Sequence, residues 1–324
     1  MLPWLRRTWF LLALAIVLTL GVLFGHSSSA AVIDAYLWCV QPAVTTAIVL
    51  FLMAFSLDSS KRREALLRPT ASVWGCVVNL GLVPVIAWPL AAAQSLPDFQ
   101  SGLFITAATP CTLATASVFT RRAGGNDAVS LMTTLVTNLA CVVVTPLWLQ
   151  AYFGHAAGFD AWQLVRQLAV CVVLPTVLGQ AAQFPAVCQA VIHRQRARIG
   201  VIAQGFVLLL VSVAATNAGR VLARQAIWPT LSASFLMLSG CLLLHFAALA
   251  AGWYGGRGLR LPRADLIAVA IAGSQKTLPV GLMIITGPEL SGTIAPFLTF
   301  PLVAYHAAQL LIDAWLAERW RERQ

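Results

Sequence analysis

The chain has 324 residues, of which 59% are hydrophobic and only 10% are charged, and its mean hydropathy is +0.82. A soluble domain carries about 25% charged residues because it needs a polar shell, so this composition excludes a soluble enzyme, a nucleic-acid-binding domain and a disordered tail. The net charge of +10 does not indicate nucleic acid, since the basic residues lie in loops between apolar runs, a pattern typical of membrane topology.

Ten apolar runs are each close to the length of about 20 residues that crosses a bilayer core. The loops between them are short and indicate one bundle without an attached soluble domain. The sequence therefore predicts an all-α integral membrane protein with ten transmembrane helices. The predicted spans are residues 9–25, 36–57, 70–93, 99–121, 127–153, 161–181, 199–217, 229–254, 264–287 and 292–316.

The first span has the outline of a signal peptide, with two arginines, an apolar run and then the small residues HSSSAA. Its run from Trp9 to Phe24 is slightly long for such a peptide, and its removal would leave nine helices. We therefore favour a retained helix, with cleavage as the alternative.

Positive charge predicts the orientation, because cytoplasmic loops are enriched in Lys and Arg. With both chain ends in the cytoplasm, the inner loops hold 17 of the 21 Lys and Arg, and three arginines lie outside. The remaining cation, Lys276, lies inside a predicted span. The inner cations are Arg6, Arg7, Lys61, Arg62, Arg63, Arg68, Arg121, Arg122, Arg194, Arg196, Arg198, Arg257, Arg260, Arg263, Arg319, Arg321 and Arg323; the outer ones are Arg166, Arg220 and Arg224.

The seven cysteines show no CxxC pair and no spacing to histidine that is typical of a metal site. We interpret them as small apolar core residues. They are Cys39, Cys76, Cys111, Cys141, Cys171, Cys188 and Cys241.

Two spans contain a helix break at equivalent places. The fourth holds Thr109-Pro110-Cys111-Thr112, and the ninth holds GSQKTLP from Gly273 to Pro279. These are the fourth helices of two five-helix halves, residues 1–154 and 155–324. Because each half has an odd number of helices, the second half enters the membrane from the opposite side and is inverted relative to the first. Inverted repeats with one broken helix each are typical of secondary transporters.

Both breaks are predicted to lie near the midplane of the membrane. Pro110 lies 12 residues from Asp98, about 18 Å along a helix, and Lys276 lies 11 residues from Asp265 on the opposite side. Polar main chain at that depth is tolerated only where protein or a wet cavity surrounds it. Proline alone can merely kink a helix, but Pro clustered with Thr, Ser, Gln and Lys in both halves favours a binding site.

The residues TPCTLATASVFTRRAGGNDAVSLMTTLVTN, GSQKTLPVGL and FPLVAYHAAQLLIDAW resemble the crossover regions and last helix of the bile acid:sodium symporter family, in particular its bacterial and orphan vertebrate SBF-like branch. The resemblance implies a ten-helix inverted repeat with crossing broken helices four and nine. It also implies a core domain of spans 3, 4, 5, 8, 9 and 10, a panel domain of spans 1, 2, 6 and 7, substrate between them, and two sodium ions behind the crossover.

Carried over by position, the resemblance assigns the sodium-site oxygens to Ser130, Thr134, Asn79, Gln275 and the stretch from Thr115 to Ser117. The sequence departs from the family at two places. The family's sodium-sharing glutamate would fall at Ile271, and the Asn that follows the counterpart of Gln275 is here Lys276. All eleven Asp and Glu, Asp313 included, are predicted in loops or near helix ends, so no midplane carboxylate is expected and sodium coupling is put in doubt.

Lys276 is the strongest single signal, because an ammonium inside a membrane costs at least a few kcal/mol. Its fixed charge could replace a sodium ion, bind an anionic substrate directly, or carry a proton. The alternative is a structural lysine bonded to carbonyls of the opposite break.

The other candidates have equally open interpretations. Ser130 and Thr134 share a helical face, which suits either sodium or close helix packing. His245 and His306 could relay protons or simply pack. The half-helices after Pro110 and at Pro279 point positive N-termini at the site and favour an anion. The predicted substrate-binding residues are Thr109, Pro110, Thr112, Gln275, Lys276, Thr277 and Asn138.

We expect a secondary transporter that moves a small organic anion by alternating access, coupled to sodium, to protons or to neither ion. The alternative is a non-transporting membrane regulator of ion homeostasis. An intramembrane enzyme has no support from motifs such as HExxH or GxSxG. No cofactor and no nucleic acid is expected, only a small organic anion, lipid and Na⁺ as a candidate coupling ion. The resemblance suggests a bacterial inner membrane.

Overall fold

The computed structural model describes residues 3–57, 69–113, 115–154, 159–184, 186–225, 229–287 and 297–322. Within these ranges all regular secondary structure is helical. The basic cluster at 61–63 and Arg68 lies outside the described residues.

The helices are labelled in chain order. They are α1 (Pro3–Ser27), α2 (Ala30–Cys39), α3 (Pro42–Ser56), α4 (Pro69–Ala92), α5 (Pro97–Ala108), α6 (Thr115–Arg122), α7 (Asp127–Phe153), α8 (Ala161–Ala181), α9 (Ala186–Gln225), α10 (Leu231–Gly258), α11 (Arg263–Ser274), α12 (Leu278–Ile285) and α13 (Thr299–Arg321).

Among the described residues, eight helical stretches are long and apolar enough to cross a membrane, which supports an integral membrane protein. They are 30–56, 69–92, 127–153, 161–181, 194–223, 231–258, 263–285 and 299–321. The first predicted span corresponds to a shorter apolar helix, Leu12–Ser27. The fourth is divided between α5 and α6, each only half the length of a crossing helix.

Two predicted boundaries were wrong. The seventh span was expected to begin at residue 199, but α9 is 40 residues long and begins at Ala186. Its basic start has no Gly or Pro before Gly200, and Arg, Gln and Ala are good helix formers, so Arg194, Arg196 and Arg198 lie in the helix and not in a loop. The second span begins at Ala30 and is interrupted at Val40 and Gln41. The interruption occurs there because Pro42 disfavours helical torsions in the residue before it, Gln41.

The predicted helix breaks are present in both spans. Thr109 has ψ of 154° because Pro110 follows it, which ends α5. In the second break, Gln275 and Thr277 have ψ of 140° and 123°, and α12 then starts with Pro279 in its first turn. Each break therefore leaves several main-chain groups outside the α-helical hydrogen-bond pattern.

Two helices contain a wider π-helical turn that ends two residues before a proline. In α4 this turn spans Val77–Leu82 and precedes Pro84, and in α8 it spans Ala169–Val173 and precedes Pro175. In α4 the Val83 N–H donates to the oxygen of Val78, five residues earlier. A π turn exposes main-chain oxygens that an α-helix would occupy.

Close helix contacts depend on glycine at a few positions. A Cβ atom on Gly25 would overlap the main-chain oxygen of Thr216, and one on Gly219 would overlap that of Val22. These glycines let α1 and α9 approach until their main chains are in contact, as small residues do in membrane bundles.

The cysteines follow the expectation of core residues only in part. Cys111, Cys141 and Cys241 are buried, whereas Cys76 and Cys171 are half-buried and Cys39 is exposed. A membrane protein can turn an apolar thiol toward lipid, so apolar character did not require burial at Cys39.

Candidate functional site

The two helix breaks contact each other directly. The Thr277 N–H donates to the Pro110 oxygen over 3.0 Å, which joins the start of α12 to the break between α5 and α6. The surrounding side chains Thr109, Thr112, Gln275, Lys276 and Thr277 are all buried. The structure thus brings together the two polar clusters that the sequence placed in different spans.

Gln275 links the breaks through its side-chain amide. Its Oε1 accepts hydrogen bonds from Thr112 Oγ1 at 2.5 Å and from Thr115 Oγ1 at 2.8 Å. Its Nε2 donates to Asp313 Oδ2 at 2.6 Å. One amide therefore holds α6, the second break and α13 in a fixed arrangement.

Lys276 is 1% exposed and points away from solvent into a group of oxygen atoms. Its Nζ donates to the main-chain oxygens of Asn79 at 2.6 Å and Thr109 at 2.9 Å, and lies 3.5 Å from Asn79 Oδ1. An ammonium has three N–H donors and no acceptor, so these three oxygens match its full donor capacity.

Main-chain groups of the second break are also held by side chains. Gln309 Oε1 accepts from the Lys276 N–H at 2.8 Å, and its Nε2 donates to the Lys276 oxygen at 2.9 Å. Asn79 Nδ2 donates to the oxygens of Gly273 at 3.1 Å and Gln275 at 2.9 Å. These contacts satisfy carbonyls that lack helical partners where α11 ends.

The expectation that no carboxylate reaches the site was wrong. Asp313 is completely buried, and it contacts Gln275 and the imidazole of His245. Asp313 lies three residues before residue 316, where the predicted tenth span ends, and this position suggested a helix end. However, α13 extends beyond the predicted span to Arg321, so Asp313 lies within the packed part of the helix.

Sequence reasoning also missed Tyr305 and Gln309. Tyr305, Gln309 and Asp313 are spaced by four residues on α13, and this spacing places polar groups on one helical face. That periodicity was the available signal.

The two candidate histidines have different surroundings. His245 is completely buried, with Nε2 at 3.1 Å from Asp313 Oδ1 and Nδ1 at 3.4 Å from Tyr305 Oη. His306 Nδ1 lies 2.9 Å from Gln309 Nε2, and its ring contacts Phe10 edge to face. Only His245 has a carboxylate partner among the described residues.

The α6 and α7 side of the site carries the remaining predicted oxygens. Thr134 Oγ1 donates to the Ser130 oxygen at 2.8 Å, and Asn138 Nδ2 donates to the Cys111 oxygen at 2.8 Å. Ser130 Oγ, Ser117 Oγ and Asn138 Oδ1 are buried and find no protein partner in the described part of the chain. Buried oxygens of this kind are unusual and attract a ligand or water.

The helix breaks hold buried charged side chains that do not form a metal-binding cluster within the described residues. In the described residues no group of three His, Cys, Asp or Glu side chains lies close enough to hold a metal ion. The charged groups at the breaks are instead Lys276, bonded to main-chain oxygens, and Asp313, bonded to the Gln275 amide and the His245 imidazole. The site can therefore stabilise a fixed cation and an adjacent ionisable pair.

Comparisons with known proteins place these features in a family. Residues 8–322 match the model of the SBF-like CPA transporter family. The chain is 27% identical to a protein of Arabidopsis thaliana named probable sodium/metabolite cotransporter BASS4, chloroplastic, over 96% of this chain and 72% of that one. It is 23% identical to sodium/bile acid cotransporter 7 of Danio rerio, over 96% of this chain and 93% of the relative. A putative symporter of Escherichia coli, YfeH, is 28% identical over 70% of this chain and 67% of its own length.

Proposed function

The chain belongs to the SBF-like CPA transporter family, and from this premise we propose that it moves a small organic anion across a membrane by alternating access. Two relatives are named for cotransport of sodium with a metabolite or with a bile acid, which supports an organic substrate. The contact between two interrupted helices supports a substrate site at that place, as in other secondary transporters.

The observation that carries the proposal is the Lys276 ammonium at the junction of the breaks. It donates to oxygens of α4 and of the first break, while α6 and α12 both begin beside the junction. A buried cation and two helix N-termini favour negative charge at the junction, and the buried carboxylate of this region, Asp313, is already bonded to His245 and Gln275. An anion is therefore favoured over a cation as substrate.

Lys276 is proposed to take the place of a coupling ion and not to bind substrate directly. Its three N–H donors face three protein oxygens, so none is directed at a ligand. Oxygens of Asn79, which the family resemblance assigns to a sodium site, are thereby bonded to the ammonium. The unpartnered oxygens of Ser130 and Ser117 leave a separate sodium position as the alternative.

The family fold is part of the same proposal. It comprises ten spans in two inverted halves, residues 1–154 and 155–324. The protein would lie in a bacterial inner membrane with both chain ends on the cytoplasmic side. Contacts between α5, α6, α11 and α12 at the breaks support a core domain that contains these helices. The close pairing of α1 with α9 supports their grouping in a panel domain.

The test is uptake by purified full-length protein in liposomes, with radiolabelled taurocholate and lactate as probe anions. We expect accumulation of at least one probe above that of protein-free liposomes, without dependence on a sodium gradient. Uptake that requires sodium would contradict the role of Lys276. Absence of uptake for both probes, in protein shown to be folded, would contradict the carrier and favour the non-transporting regulator.

A further inference from the structure

Three exposed arginines lie at the end of the bundle where α10 and α13 meet. Arg257 is in the last turn of α10, Arg260 follows the end of that helix, and Arg319 is in the last turn of α13. None of the three has an ion pair within the described residues. We call Arg257, Arg260 and Arg319 the arginine surface.

The carboxylates nearby are too few to neutralise this surface. Arg121 pairs with Asp127, and Arg122 pairs with Glu318. In the described chain, the turns of α6, α7, α10, α11 and α13 at this end hold seven arginines and four carboxylates. The arginine surface therefore carries excess positive charge.

Aromatic stacking holds the ends of α10 and α13 together. Trp253 of α10 stacks on Trp320 of α13, with ring centroids 5.2 Å apart. Arg257 lies one helical turn beyond Trp253 on the same helical face, and Arg319 directly precedes Trp320. The Arg260 N–H donates to the Arg257 oxygen over 2.9 Å. All three arginines are thus attached to the main chain close to a single aromatic stack.

The guanidinium of Arg319 is stacked on a ring and not paired with a carboxylate. Its Cζ lies 5.2 Å from the centroid of the Trp315 ring. A stacked guanidinium uses its face, so its N–H donors, which lie in its plane, stay available. An acceptor with two oxygens, such as a phosphate, matches this arrangement of donors. Arg319 is therefore arranged to bind an oxyanion from outside the chain.

The main chain at Arg260 is strained. Its φ is +57°, and no other non-glycine residue in the described ranges has a positive φ. The Leu261 N–H donates to the Gly256 oxygen over 3.0 Å, so the helix ends in a Schellman turn in which Arg260 takes the position that favours glycine. Membrane orientation depends on the number of cations in a loop and not on the torsion of one of them. A cation kept at this strained position indicates a use for its charge.

Apolar and aromatic side chains beside the arginine surface are also exposed. Tyr254 is 68% exposed, Trp315 53% and Leu259 46%. Tyr and Trp are typical of the interface between lipid and water, where arginines extend their charge toward the headgroups. Cations next to an exposed apolar surface match an anion that carries acyl chains.

We propose that the arginine surface binds the headgroup phosphate of an anionic phospholipid. A zwitterionic headgroup brings its own cation, whereas an anionic headgroup offers the net negative charge that the excess arginines lack. The bound lipid would join the ends of α10 and α13. The site does not depend on transport; only its assignment to the cytoplasmic leaflet rests on the orientation in the proposed function.

The first test is native mass spectrometry of the full-length protein in non-ionic detergent, with phosphatidylglycerol or phosphatidylcholine of identical acyl chains. We expect phosphatidylglycerol to bind in preference. Arg257→Gln and Arg319→Gln should each weaken its binding about fivefold, which corresponds to about 1 kcal/mol for one basic residue near an anionic lipid surface. Equal binding of both lipids by the wild type, or unchanged binding in both variants, would overturn the proposal.

Arg166→Gln is the matched control. Arg166 is also exposed, and its Cζ lies 5.9 Å from the centroid of the Trp162 ring, but it is the single arginine of α8. This variant should bind phosphatidylglycerol as the wild type does. An equal loss of binding in Arg166→Gln would show that any exposed arginine suffices, and it would overturn the assigned site.

Arg260→Gly distinguishes a lipid-binding arginine from a structural one. Glycine removes the charge and relieves the left-handed torsion, so the unfolding temperature in detergent without phospholipid should be unchanged or higher. Binding of phosphatidylglycerol should nevertheless fall about fivefold, as for the other two arginines. A lower unfolding temperature with undiminished binding would overturn the role of Arg260.

Glycerol phosphate distinguishes a lipid site from a site for free anions, because it carries a phosphate without acyl chains. Phosphatidylglycerol should raise the unfolding temperature of the wild type, and glycerol phosphate at the same concentration should not. Equal stabilisation by both compounds would overturn a phospholipid as the ligand. None of these measurements includes transport, so their failure leaves the proposed carrier intact, and failure of uptake leaves the lipid site intact.

Discussion

The ammonium of Lys276 donates to the main-chain oxygen of Asn79 over 2.6 Å, and local sequence makes that oxygen available. In the π-helical turn of α4 each N–H bonds five residues back, as Val83 does to Val78. The corresponding partner of Asn79 would be Pro84, which has no N–H. The oxygen is therefore left without a helical donor, and Lys276 in the second helix break, 197 residues away in sequence, supplies one.

If the lysine has replaced a sodium ion, the ion should return when its ligands are restored. We expect Lys276→Asn combined with Ile271→Glu to gain saturable binding of radioactive sodium. Ile271 lies one helical turn before Gln275 and is buried, so a carboxylate there would share the Gln275 face. Lys276→Met is the matched control, because a thioether is a poor sodium ligand, and it should gain nothing. Strong sodium binding by the wild type would contradict the replacement.

Gln309 should be required for the stability of the second break. Gln309→Leu removes both partners of the Lys276 peptide, and each buried group left without a bond costs about 1–3 kcal/mol. We expect a lower thermal unfolding temperature in detergent. Gln150→Leu, at a half-buried position near the end of α7, makes the same chemical change as a control. Equal unfolding temperatures for both variants would mean that Gln309 does not stabilise the break.

The approach of α1 to α9 gives a prediction about packing. Gly219→Ala places a methyl group against the Val22 main chain, which cannot retreat without separating the helices, and overpacking typically costs about 1–3 kcal/mol. Gly205→Ala is the control on the same helix, since nothing lies within 4 Å of its added atom. Thermal unfolding should therefore distinguish the two variants. A neutral Gly219→Ala would show that α1 is not held at this distance.

The predicted orientation can be measured with introduced cysteines. Ser95→Cys, between α4 and α5, should react in intact cells with a membrane-impermeant maleimide. Leu259→Cys, between α10 and α11, should react only after the cells are opened. Both positions are exposed. A Cys39→Ser, Cys188→Ser background removes the thiol that is exposed among the described side chains and the one that lies outside them. The reverse labelling pattern would place both chain ends outside.

Several features of the site could be read from local sequence. Thr109-Pro110 and the stretch around Lys276 and Pro279 predicted the two breaks, because proline and its preceding residue restrict helical torsions. Lys276 was identified by the cost of a cation in an apolar span. Its oxygen partners could not be identified, since they depend on which main-chain groups of distant helices remain without donors.

The burial of Asp313, in contrast, was not predicted from the local sequence. Its sequence position near the end of an apolar run indicated a solvated carboxylate, and the local feature that distinguished it from Glu318 on the same helix was its four-residue spacing from Gln309. The structure buries Asp313 against His245 and Gln275, whereas Glu318 pairs with Arg122 at the surface. Partners from other helices determined this difference.

Composition, apolar run length and proline placement by themselves determined that this is a helical membrane protein with two interrupted helices, because each of these properties acts within about 20 residues of chain. The tertiary structure alone decided which polar groups meet: Lys276 with Asn79 and Thr109, Gln309 with the Lys276 peptide, and Asp313 with His245 and Gln275. In a medium without water every buried donor must find a protein acceptor, and for these side chains the partner lies on another helix or in a helix break.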